Sequence, residues 1–341
     1  MSGEDERDVD VTSGSPTPAT PPQGSPSHPL AARLTRRRLL IGGGAMVGAG
    51  ALAAGGVALA GTVETAAPVP QRVPAPPGPS RGTQAAVTVE WVRSVARNRS
   101  VRLVITSPPG RDRATLPLCV GLHGLGGNAL WWGDPGMRKV LGAAWASGVP
   151  PFAVAALDGG DNYWHQFRPG DDPMRMLLDE LPAWMMQRGV ARDTQGVPVL
   201  ASGVSMGGAG ALMYARARVL RGSPVRAVAA MSPGLFTDWR VASKRPFAGI
   251  GDWEANDPLR FYPELATTPT GMWCGDRDSF VAPVRRYIDL AHPQFSRITP
   301  GKHDGTYIGS VLPQVAAFLG QHVAPPALPF GLPSQQAFPH I

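Results

Sequence analysis

Eight short apolar runs punctuate the chain between residues 85 and 324, and polar, glycine-rich or helical stretches separate them. Residues 87–95 and 100–105 suggest an opening antiparallel strand pair. Residues 116–122, 152–157, 197–202, 225–231, 270–274 and 295–299 read as further strands, most of them apolar enough to be buried. A run of small residues at 208–221 and an apolar run at 307–319 read as helices. Strands that alternate with helices predict an α/β fold. The 240 residues from 85 to 324 suffice for one such core, and no internal repeat is visible.

The flanks have a different pattern. Residues 1–34 are rich in Pro, Ser, Thr and Gly, with acidic residues at the start, and too little apolar area to offset the entropy of ordering. Residues 35–60 begin Thr35-Arg36-Arg37-Arg38-Leu39-Leu40 and continue uncharged, glycine-rich and apolar, as a twin-arginine signal does. Ala58-Leu59-Ala60 fits a small-x-small cleavage site. Uncleaved, the segment from Leu39 to Ala60 could instead span about 33 Å as a helical anchor. Either way the folded domain is expected outside the cytoplasm, secreted or held at the envelope. Residues 61–84 carry six prolines and read as a spacer, and residues 325–341, with five, as a tail.

Chemistry concentrates at four places, each just past a strand. Gly203-Val204-Ser205-Met206-Gly207 lies between a strand and a helix, the setting of a nucleophile elbow. His123-Gly124-Leu125-Gly126-Gly127 follows the run at 116–122 and reads as an oxyanion loop, with the Leu125 and Met206 amides as donors. Gly275-Asp276-Arg277-Asp278 and Gly301-Lys302-His303-Asp304 fill the stations of a triad acid and a triad histidine. Of the seven histidines only His303 occupies the place after the last strand. Asp276 and Asp278 are two apart, so in an extended segment they face opposite ways and one alone can reach the imidazole. The other would be a turn aspartate bonded to its own backbone. Trp131 and Trp132 follow the oxyanion loop, and Tyr163 and Trp164 lie in the loop after the run at 152–157. Both loops belong to the edge where α/β folds bind ligands, which makes these aromatics candidate substrate contacts. No long insertion marks a large lid.

With these motifs in this order, residues 85–323 resemble the esterase D-like serine esterases of the α/β-hydrolase superfamily. That family includes S-formylglutathione hydrolases, feruloyl esterases and mycolyltransferases. The resemblance rests on the 123–127 loop, Asp179-Glu180-Leu181-Pro182, the elbow, Cys274-Gly275-x-x-Asp278, and Gly301-x-His303 with Tyr307 after it. It implies a mostly parallel sheet of about eight strands with helices on both faces, and a Ser205, Asp278, His303 triad. Mycolyltransferases carry aspartate where His123 stands and a glutamate as the acid, so the chain departs from them at both points.

Charge narrows the picture further. The net charge is +7, and residues 1–60 carry five Arg against five acidic residues, so the excess lies in the remainder. The domain has no dense basic run, which argues against nucleic acid, and only the signal or anchor would meet a membrane. No His, Cys and carboxylate cluster has metal-ligand spacing, no phosphate-binding glycine loop appears, and the chemistry calls for no cofactor. Cys119 and Cys274 sit in separate core strands and read as free buried thiols. The leading expectation is an exported carboxylic-ester hydrolase for a small-molecule or envelope ester. The alternatives are an envelope acyltransferase using the same acyl-enzyme, and a catalytically silent envelope-binding protein. Oligomeric state is not legible.

Overall fold

The computed structural model describes residues 86–324. The disordered region, signal or anchor, spacer and tail expected at 1–34, 35–60, 61–84 and 325–341 lie outside the described residues. Eight strands form one sheet: β1 (Ala86–Ser94), β2 (Arg99–Ser107), β3 (Leu118–Leu122), β4 (Ala153–Leu157), β5 (Leu200–Val204), β6 (Ala227–Met231), β7 (Thr270–Gly275) and β8 (Phe295–Thr299). Their order is β1-β2-β4-β3-β5-β6-β7-β8. β1 and β2 form an antiparallel hairpin, β2 runs antiparallel to β4, and every pair from β4 through β8 is parallel. This is the α/β-hydrolase arrangement.

Every residue of β3, β4, β6 and β7 is buried. Helices cover both faces of a parallel sheet, so its central strands have no solvent side and read as unbroken apolar runs. One core layer packs Leu103, Val120, Trp164, Met206 and Tyr214, with the helix Met206–Leu220 against the sheet. The opposite layer packs Cys119, Trp132, Leu141, Trp273 and Phe318, under the helices Pro135–Ala146 and Gly305–Gln321. Cys119 and Cys274 are buried and unpaired, on strands that β5 and β6 separate. Burial pushes the Cys274 thiol up to about 12.

One expectation changes in detail. The strand placed at 197–202 starts only at Leu200: Val197 N–H closes a turn onto Thr194 O at 3.0 Å, and Pro198 has no N–H to donate to a ladder. The connection from β6 to β7 contains the short helices Trp239–Ala242, Ile250–Ala255 and Pro258–Phe261. The parallel strands all point the same way. Their C-terminal ends therefore deliver His123, Ser205, Asp278 and His303 to a single edge of the sheet.

Candidate active site

Ser205 caps the helix Met206–Leu220 with φ 56° and ψ −121°, a conformation that a non-glycine residue adopts only under constraint. The constraint is visible on both sides. Ser205 N–H donates to Met231 O at 2.9 Å, and Ser205 O accepts from Gly208 and Gly234 N–H at 2.9 and 2.8 Å. A Cβ at Gly203 would overlap the Gly207 carbonyl, and one at Gly207 would overlap the Leu122 carbonyl. Glycine at both positions is what lets the turn close this tightly.

The turn aims Ser205 Oγ at His303, whose Nε2 lies 2.9 Å away. His303 Nδ1 lies 2.8 Å from Asp278 Oδ2. Asp278 has a fully buried side chain, and its other oxygen accepts from Phe280 N–H at 2.8 Å. Burial pushes the Asp278 carboxyl up, but the bonds from His303 and the Phe280 amide more than offset it and hold the group below its ordinary value. Since the carboxylate accepts from Nδ1–H, Nε2 is left free to accept from the serine. The His303 side chain remains 32% exposed, and the Phe280 ring lies edge-on to it at 5.0 Å.

Of the two candidate acids, the structure brings Asp278 to the histidine and not Asp276. Asp276 does not bond its own backbone either. Its Oδ1 accepts from Gly301 N–H at 3.0 Å, which ties the acid turn to the loop that carries His303.

The glycine loop after β3 lies against the serine: a Cβ on Gly124 would stand 3.3 Å from Ser205 Cβ. Gly126 N–H is spent on Asp161 Oδ1 at 2.6 Å, and Gly127 N–H on Gly124 O at 3.0 Å. Met206 N–H opens its helix, where no earlier helical carbonyl can accept it. His123 is buried beneath the loop. Its Nδ1 lies 2.8 Å from Gly124 O, and its Nε2 lies 2.9 Å from Gly159 N. A carbonyl can only accept and an amide N–H can only donate, so the ring is neutral with its proton on Nδ1. Burial accordingly lowers its pKa.

The aromatic candidates divide. Trp132 is buried in the core under Gly121, and its carbonyl accepts from the Thr106 hydroxyl at 2.9 Å. Trp131 is partly buried and packs edge-on against it. Trp164 is fully buried between Gly159 and Gly210, and its indole N–H donates to His123 O at 3.2 Å. Trp132 and Trp164 are therefore packing residues and not substrate contacts. Tyr163 is also largely buried, but its hydroxyl reaches the elbow, where a Cβ on Gly234 would touch both it and Met206 N. The sequence reading missed Asp161 and the Asp158 carboxylate, which accepts from Ala129 N–H at 2.9 Å. Their place in a loop of the active-site edge was the one signal available. Among the described residues no group of three or more His, Cys, Asp or Glu could hold a metal ion.

A family model described as Putative esterase matches residues 94–283, more than half of the chain. The chain belongs to this esterase family. It is a serine esterase on the α/β-hydrolase fold, in line with its resemblance to the esterase D-like group. Among solved structures it is similar to a ferulic acid esterase, at 20% identity and TM-score 0.58, over 71% of this chain and 99% of that one. An S-formylglutathione hydrolase of Agrobacterium tumefaciens matches at 16% identity and TM-score 0.57, over 71% and 97%. The fluorophosphonate-binding serine hydrolase FphF of Staphylococcus aureus matches at 13% and 0.55, over 70% and 99%. No curated protein matches the chain.

Proposed function

We propose that this esterase is an exported carboxylic-ester hydrolase that works through an acyl-enzyme on Ser205. The observation that carries the reading is the unbroken line Asp278–His303–Ser205, with contacts of 2.8 and 2.9 Å and the serine held at a strained elbow. In the proposed reaction His303 Nε2 takes the Ser205 proton as Oγ attacks the ester carbonyl, and Asp278 stabilises the imidazolium. The Leu125 and Met206 amides receive the oxyanion, each worth about 3 kcal/mol in the transition state. The imidazolium then protonates the departing alcohol. Water deprotonated by His303 cleaves the acyl-enzyme and restores the serine. Residues of the chain suffice for every step.

The exposure of His303 gives water a way to the acyl-enzyme, which supports hydrolysis over transfer to a sugar or glycerol acceptor. Export rests on the Arg36-Arg37-Arg38 leader. The deciding experiment measures hydrolysis of p-nitrophenyl esters of increasing acyl length by wild type and Ser205→Ala, with and without trehalose or glycerol, beside labelling by a fluorophosphonate. Loss of both hydrolysis and labelling in the variant, with rates indifferent to acceptor, is the expected result. More than a tenth of the wild-type rate in Ser205→Ala would remove the serine from its role. Transfer product exceeding free acid would assign the acyltransferase, and a wild type that neither hydrolyses nor labels would be the silent binder.

A further inference from the structure

A cleft of about 310 Å³ opens beside the oxyanion loop, and arginines dominate its walls: Arg97, Arg99 and Arg168, with Phe167, Asp161 and Asp171. Both carboxylates in it are already engaged. Asp171 takes Arg97 Nε on Oδ1 at 2.7 Å and Arg99 Nη2 on Oδ2 at 2.9 Å, while Asp161 takes Gly126 N–H. Arg97 is held further by the Asp158 carbonyl, and its side chain is 2% exposed. Among the described residues Arg168 has no such partner. Its guanidinium lies 5.8 Å over the Phe167 ring and pairs with none of the described carboxylates. Its backbone is fixed, because Asp171 N–H closes a turn onto Arg168 O at 3.1 Å through Pro169 and a Gly170 with φ 77°. Three guanidinium groups against two carboxylates leave the cleft one positive charge in excess, on a planar fork suited to a carboxylate. Phe167 and Pro246 offer an apolar wall for the body of the same ligand.

The position ties this charge to the reaction. Asp161 lines the cleft and also holds Gly126 of the loop that lies against Ser205, so one carboxylate joins the cleft to the loop beside the serine. We propose that the cleft is a subsite for a carboxylate carried by the substrate, so that the enzyme prefers acidic esters, with Arg168 as the specificity-determining residue. This rests on the ester-hydrolase reading above and names a substrate class for it. The carboxylate can sit on the acyl or the alcohol side of the ester, and two assay arms separate these.

In the first arm, 4-nitrophenyl half-esters of adipic and suberic acid are compared with the corresponding ω-carboxamides. In the second, the acetate ester of 3-(4-hydroxyphenyl)propionate is compared with that of its amide. At low ionic strength one arm should favour the carboxylate about tenfold in kcat/KM, the scale of one charge-assisted hydrogen bond. The preference should shrink in 0.5 M NaCl and fall to about parity in Arg168→Glu. A wild type that treats both pairs alike, or a preference that survives Arg168→Glu, overturns the proposal. Binding is measured separately by NMR titration of Ser205→Ala with adipate and with adipamide. Adipate should shift the resonances of residues 97–99 and 160–171 and bind about tenfold more tightly than the diamide, and Arg168→Glu should abolish the difference. A wild type without esterase activity would sink the hydrolase reading and leave the titration to decide the cleft. No preference for adipate there sinks the cleft.

Discussion

Replacing Asp278 by asparagine tests the proposed triad at the point where its geometry is most demanding. The two carboxylate oxygens face two donors, the His303 Nδ1–H and the Phe280 N–H, both at 2.8 Å. Asparagine keeps the shape but offers one acceptor and one NH2. If its oxygen serves Phe280, the NH2 faces Nδ1, which must then give up its proton. The proton moves to Nε2, which can no longer accept from Ser205 at 2.9 Å. If the amide flips, His303 keeps its tautomer, but two N–H donors collide in a fully buried site at a cost of about 1–3 kcal/mol, and the negative charge behind the imidazolium is still lost. Both routes lead to the same scale, a fall in kcat of about 10³–10⁴-fold. Asp276→Asn keeps an acceptor for Gly301 N–H and should change kcat by less than about threefold. Initial rates on p-nitrophenyl acetate, with thermal melts showing both variants folded, decide the matter. Asp278→Asn retaining a tenth of wild-type kcat, or Asp276→Asn being the more damaging, would refute the reasoning.

Three further outcomes are expected. Gly234→Ala sets a methyl 3.3 Å from Met206 N and 3.1 Å from the Tyr163 hydroxyl, so kcat should drop at least tenfold with little change in the melting temperature, as initial rates and melts can show. His123 has a lowered pKa in the fold, so as pH falls below the ordinary histidine value near 6.5 the unfolded chain takes up the proton first. The stability that His123 contributes is complete above that value and is lost below it until the folded pKa is passed. Asp257 works in the opposite sense: burial raises its carboxyl to about 6, and its contribution is lost as pH rises through that value. Denaturant midpoints from pH 8 to 5 should therefore fall more steeply on the acid side in wild type than in His123→Gln, and equal slopes would contradict the neutral buried imidazole. Exchanging Arg36 and Arg37, or Arg37 and Arg38, for lysine should trap the protein in the cytoplasm, and fractionation showing unchanged export would point to another route.

The strands and the stations of Ser205 and His303 were legible because each writes itself into a few adjacent residues. A strand buried on both faces must be apolar throughout, and β3, β4, β6 and β7 are. An elbow needs glycine two residues either side of its serine, and the order of stations along the sheet edge then leaves one place for the histidine. Asp278 against Asp276 was not decidable from the residues alone. Both aspartates leave the same turn, and the choice depends on Gly301, which captures Asp276 from the loop after β8, 25 residues further on. The start of β5 was misplaced by an apolar run that contains Pro198, where pattern and hydrogen-bonding capacity disagree.

The aromatic loop after β4 shows why substrate contacts are the hardest class to read. Tyr163 and Trp164 read as candidate substrate contacts, and their place in the chain is indeed at the site's edge. Both have left-handed backbone, φ 52° and 61°, a strain that only surrounding contacts can hold. Those contacts are specific. Trp164 lies between Gly159 and Gly210 and bonds His123 O, Tyr163 N–H meets Met206 Sδ at 3.3 Å, and Gly159 N–H meets the His123 ring. With Asp158 on Ala129 and Asp161 on Gly126, the loop grips the segment after β3 at several points. Such a frame buries its large side chains to fix small backbone groups, so the residues most conspicuous in the sequence are inside it. Among the side chains it leaves facing solvent beside the site is Arg168, which pairs with no carboxylate among the described residues.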